Sequence, residues 1–159
     1  MKIKVITGKR QPGEEPEVII YCEEENQEVR RLVSLIRSMD LRIAGSKDNI
    51  SCSLRPEDIY YFEAVDGKVF AYLEQKVWQI PHSLEGLERL LNAGGGSSFF
   101  RVSKSCIINV DHVEHLTSMM SNRIMARMEN GEDVIISRHY AGMFRDYLKY
   151  GRRGQNAEM

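Results

Sequence analysis

The chain has 159 residues, 42% of them hydrophobic and 28% charged, with a formal net charge of −1. Such a composition suits a soluble globular protein of one domain plus a small appendage. No apolar run is long enough to span a bilayer, and the first ten residues, MKIKVITGKR, lack the apolar stretch of a secretory signal. Cys22, Cys52 and Cys106 are too few and too scattered for a disulfide framework or a zinc motif, so buried free thiols in a reducing cytoplasm are expected.

The first 40 residues read as a β-β-α extension. KIKVI (Lys2 to Ile6) alternates polar and apolar and suits a short strand, and a Gly/Pro-rich loop follows. VIIYC (Val18 to Cys22) is dense in β-branched residues and is expected to be a buried strand. Asn26 then caps a helix in which Val29, Leu32, Val33, Ile36 and Met39 recur at helical spacing. Such a unit is too small to bury its own core and needs the next domain or a second subunit.

From Leu41 the pattern turns β. LRIAG, NISCSL, DIYYFEAV, KVFAYL and KVWQI are short alternating segments, and Asp66-Gly67 marks a hairpin between the third and fourth. Ser83 is expected to cap a short helix carrying Leu84, Leu87, Leu90 and Leu91. Gly94 to Ser98 forms a loop without the Gly-Lys-Ser/Thr ending that holds phosphates. Another strand starts at FFRV, and three more are expected at Val113 to Ser118, Asn122 to Met128 and Asp133 to Ile136. Asn130-Gly131 turns the last pair. Ser137 is expected to cap a final helix whose apolar face is Tyr140, Met143, Phe144, Tyr147 and Leu148. Residues 151–159 read as a polar tail.

Catalytic signals are missing. His112 and His115 sit at a spacing that suits neither one face of a strand nor a completed ligand set, so a solvated loop-to-strand junction is expected rather than a metal site. Ser103 and Ser105 have no evident base or oxyanion partner. No enzyme activity and no cofactor are expected.

Basic residues are distributed unevenly. Phe99 to Arg153 holds nine Lys/Arg against six Asp/Glu, whereas the first 98 residues hold thirteen against sixteen. Within the basic part, FFRVSKSCIIN places Arg101, Ser103, Lys104 and Ser105 in a segment leaving a strand. Lysine and hydroxyl groups there suit phosphate oxygens, and lysine also reaches guanine edges. Ser137, Arg138 and His139 open the last helix, where free backbone N–H groups favour a phosphate and the Arg138 fork suits guanine. Asn109, ending an apolar strand, reads as a structural amide. Arg101 is balanced between a phosphate and a carboxylate partner.

Four segments in the same order and spacing, YYFEAVDGKVFAYL, FFRVSKSCIIN, DHVEHL and NGEDVIISRHY, resemble the LytTR DNA-binding domain of bacterial transcription regulators. The resemblance covers Leu41 to Tyr150. It implies a mainly β (α+β) fold of small antiparallel sheets with short helices, elongated, with loops that enter successive major grooves. By that resemblance Lys104 with Ser103 matches the first base-contacting loop, Arg138 the second, and Lys68 a third contact from the Asp66-Gly67 hairpin. Arg101, Ser137 and His139 complete the expected DNA-binding set. The extension too short for a receiver domain is similar to that of small stand-alone regulators of this family, so no aspartyl phosphorylation input is expected. The partners implied are double-stranded DNA, a second copy of the chain and a small membrane protein. The alternative reading is a protein-interaction or sensory module whose basic loops bind an acidic or membrane-protein partner.

Overall fold

The computed structural model describes residues 4, 6, 8–9, 11–13, 17–92 and 97–151. In chain order its elements are α1 (Gln27–Met39), β1 (Ile43–Lys47), β2 (Ile50–Leu54), β3 (Tyr61–Val65), β4 (Lys68–Tyr72), β5 (Val77–Ile80), α2 (Leu84–Asn92), β6 (Phe99–Ser103), β7 (Cys106–Asn109), β8 (Val113–Ser118), β9 (Ile124–Met128), β10 (Asp133–Ile136) and α3 (Arg138–Asp146). The expected mainly β architecture with short helices is present.

Turn chemistry draws the first hairpins. Asp66 and Gly67 take φ of 50° and 75°, and Asp48 and Asn49 take 49° and 63°. Two consecutive left-handed residues give the turn whose twist matches its flanking strands, and Asp, Asn and Gly tolerate it best. The β3–β4 and β1–β2 hairpins follow. Leu73 N–H donates to Lys76 O at 2.8 Å and brings β5 back onto β4. β5 meets β1 where Gln79 pairs with Ser46, and β3 pairs with β7. One seven-stranded antiparallel sheet results, in the order β2-β1-β5-β4-β3-β7-β6, beside a three-stranded sheet, β10-β9-β8. Gly45 is required by packing, since a Cβ there would lie 3.0 Å from the Trp78 Cβ and 3.1 Å from both Cys52 Sγ and Leu54 Cδ1.

Alternation along the strands divides the buried residues between two cores. Phe62, Val69, Ala71, Ile80, Phe99 and Ile107 pack beneath α2 with Leu84, Leu87 and Leu91. Tyr61, Val102, Cys106 and Ile108 point the other way, into Ala126, Met128, Val134, Ile136, Ala141 and Phe144 of the small sheet and α3. All four residues of β7 are therefore buried. This explains why CIIN lacks polar alternation: a strand covered on both faces reads as continuous apolar sequence.

Two helix caps are as expected. Val29 N–H donates to Asn26 Oδ1 at 3.0 Å and Gly86 N–H to Ser83 Oγ at 3.0 Å. Three expectations need correction. The Lys2 to Ile6 strand falls largely outside the described residues, but Val18 to Cys22 forms no strand, and Val18, Ile19 and Tyr21 (91% exposed) are uncovered. β-branched residues favour extended chain, but a strand exists only with a partner, and no described edge pairs with this run. Cys22 is accordingly exposed, not buried, and Cys52 half-buried. On α3, Met143 is 50% exposed and Ala141 takes the buried position. Among the described residues no helix is long and apolar enough to cross a membrane.

Candidate nucleic-acid interface

β6 and β7 form a hairpin in which Ser103 pairs with Cys106, leaving Lys104 and Ser105 as the turn. The register slips between Arg101 and Ser103, so Val102 is a bulged residue. Lys104 and Ser105 are exposed and Ser103 is half-buried. Ser105 N–H donates to Ser103 Oγ at 3.2 Å, and Ser105 O accepts from Ala64 N–H at 2.8 Å, which seats the turn against the end of β3.

Arg101 does not reach outward. Its side chain is 11% exposed. Nε donates to Ser103 O at 2.7 Å, Nη2 to Lys104 O at 2.6 Å and Nη1 to Glu88 Oε2 at 2.9 Å, with Glu85 Oε1 at 3.5 Å. Of the two partners weighed for Arg101, the carboxylate is the one present. The Glu85 carboxyl is held below the usual carboxylate range by its own backbone N–H first and by Arg101 second.

The second basic segment reaches the same place through the bulge. Ser137 N–H donates to Val102 O at 2.8 Å, so the residue before α3 is bonded to the strand that carries Lys104. Arg138 and His139 are exposed, and the His139 ring meets Tyr140 edge-on at 4.9 Å. Ser137 occupies the N-cap position with extended backbone, but its hydroxyl makes no capping hydrogen bond. No acidic residue lies in the first turn of α3; Arg138 and His139 stand there instead. That placement reverses what the helix dipole favours, and it concentrates positive potential where an anion would sit.

Lys68 begins β4 just after the Asp66-Gly67 turn and is exposed. It lines a depression of about 470 Å³ together with Gln79, His82, Ser83, Glu85 and Lys104. A second depression, of about 500 Å³, is lined by Lys104, Ser137, Arg138, His139 and Tyr140. Lys104 belongs to both. The structure thus brings Lys68, Lys104, Ser137, Arg138 and His139 onto one surface, with Ser103 behind Lys104 and Arg101 beneath it. His82 and Glu85 share that surface without having been anticipated; neither lies in a motif, and only the fold of α2 against the β3–β4 hairpin places them there.

Asn109 and His112 lie elsewhere. Asn109 is 1% exposed; Nδ2 donates to Ile59 O at 2.9 Å and Oδ1 accepts from Asp111 N–H at 3.1 Å, the structural role expected of it. His112 stacks on Tyr60 with ring centroids 4.1 Å apart and bonds through its two ring nitrogens to Glu129 and to the backbone carbonyl of Glu57. Among the described residues no three His, Cys, Asp or Glu side chains come together as a metal ligand set.

The family model of the LytTr DNA-binding domain matches residues 51–149. The chain is 26% identical over 93 residues to the sensory transduction protein LytT of Enterococcus faecalis, and 31% identical over 93 residues to that of Bacillus anthracis. Each match covers 58% of this chain but only 37% of the LytT protein. A solved LytTr DNA-binding domain from Bacillus cereus superposes with a TM-score of 0.63 at 28% identity, covering 69% of this chain and 97% of that one. With the family model matched from β2 through α3, and with a solved member of similar fold, the chain belongs to the LytTr DNA-binding domain family.

Proposed function

We propose that this protein is a sequence-specific, cytoplasmic transcription regulator that reads double-stranded DNA through the surface containing Lys68, Lys104 and Arg138. The observation carrying this reading is that Lys104 lines both depressions, one shared with Lys68 and one with Ser137, Arg138 and His139. Lys104 and Arg138 contact base edges in the major groove, while Lys68, Ser103, Ser137 and His139 position phosphates. Neither depression is an enclosed active site; both are open, as a groove or backbone ligand requires. The regulator acts as a homodimer through α1, since Met39 is 72% exposed and Val18, Ile19 and Tyr21 lie uncovered next to that helix in sequence.

Fluorescence anisotropy with a duplex from the region upstream of the protein's own coding sequence, against a shuffled duplex, tests the central claim. Binding should weaken steeply as salt rises while the native duplex keeps its advantage. Equal binding to both duplexes at every salt concentration would remove the sequence-specific reading. Retention of the protein by a small membrane protein, in place of DNA, would favour the interaction-module alternative.

A further inference from the structure

We propose that Arg101 is the positioning residue of the Lys104 turn and that Glu88 on α2 is its anchor. The inference rests on the DNA-binding reading of Lys104 but concerns how that side chain is aimed. The Lys104-Ser105 turn holds no glycine, proline or asparagine, and neither residue has positive φ. The Ser103 hydroxyl closes the turn locally by accepting from Ser105 N–H, but no residue with left-handed backbone fixes where its carbonyls point. Arg101 does so instead. One planar guanidinium donates to the two consecutive carbonyls of Ser103 and Lys104, and a third donor grips Glu88 Oε2 at 2.9 Å. Because the fork is rigid, fixing one edge on α2 fixes both carbonyls on the other. Glu88 lines neither depression, so α2 sets the pose of Lys104 from behind the reading surface. Glu88 and Glu85 also offset the Arg101 charge, which leaves Lys104 as the outward cation of this hairpin.

Glu88→Gln gives a test of opposite sign to simple electrostatics. Removing a negative charge near a DNA-binding face should by itself tighten every duplex. The brace instead predicts that Glu88→Gln in the full chain weakens the native duplex roughly three- to tenfold, the scale of one charge-assisted hydrogen bond. Random-duplex affinity should stay within about twofold, and the salt slope should be unchanged because no phosphate contact is lost. Glu85→Gln, removing the longer and more exposed contact, should spare the native duplex. In the free protein, amide exchange at Lys104 and Ser105 should speed up in Glu88→Gln and in Arg101→Gln, with the thermal midpoint of Glu88→Gln nearly unmoved. Unchanged exchange at the turn in Glu88→Gln would overturn the brace, as would tighter binding of both duplexes. A salt slope lowered by about 0.9 in Arg101→Gln would make Arg101 a phosphate contact instead. If the wild-type protein shows no preference for the native duplex, the DNA reading falls, while turn exchange in the free variants still decides the brace.

Discussion

Asn109 shows how one amide can serve two segments. It is the buried polar side chain of the described core, and it completes the Ile59 carbonyl and the Asp111 amide at once. Asn109→Ala should lower unfolding stability by about 2 kcal/mol, because a buried carbonyl loses its donor. A denaturant titration would show it as a shifted midpoint with an unchanged slope. Arg138, the base-reading residue of the proposed function, is exposed at the positive end of α3, with no acidic residue in the first turn. Arg138→Ala should weaken the specific duplex by roughly 1–3 kcal/mol and relax one base preference. Equal loss on random DNA would assign Arg138 to a phosphate instead. The reach of Arg138 could be read from its place after Ser137 in the chain. The pairing of Arg101 could not, because Glu88 lies on a helix whose packing against β6 is decided by the apolar residues of both elements.

At the scale of elements, the strands and helices from Ile43 onward were legible because alternation, caps and turn residues agree. Asp66-Gly67, Asn130-Gly131, Ser83 and Asn26 each mark a boundary found in the structure. What could not be read was which strands meet. The β1–β5 and β3–β7 pairings join segments far apart in sequence, and the bulge at Val102 has no residue signature. VIIYC shows the opposite failure: local preference for strand was clear, but a strand needs an edge to pair with. The extension is where self-association should be sought. Val29, Leu32, Val33 and Ile36 of α1 are only half-buried, and none belongs to either core. Leu32→Glu with Met39→Glu should shift the mass measured by sedimentation from dimer to monomer at micromolar concentration, leaving the thermal unfolding of the β domain in place. A wild-type chain that is already monomeric would remove the α1 dimer.

For the whole molecule, the buried thiol and phenols with displaced pKa values share one sign. Burial pushes the Cys106 thiol up to about 12, with Glu63 adding to the effect. Burial first, and nearby carboxylates second, also raise Tyr60, Tyr61 and Tyr72 above 10.0. Each must stay neutral to remain in the core facing α3 or at its margin. A raised pKa in the folded state means that the stabilisation is complete below the unfolded values of 9.0 and 10.0 and is lost as pH climbs through the folded ones. Denaturant midpoints should therefore fall from about pH 9 upward, and the share of phenolate absorbance that belongs to Tyr60, Tyr61 and Tyr72 should appear together with unfolding rather than before it. A backbone hydrogen bond from Ser137 to the bulged Val102, together with Phe100 packed on Phe144, ties the two basic segments to each other. In the proposed reading of DNA they would work like the fixed jaws of a calliper, so the distance between the two points touched on a target would belong to the protein. A target lengthened by one base pair between those points would slip from one jaw, whichever bases it carried.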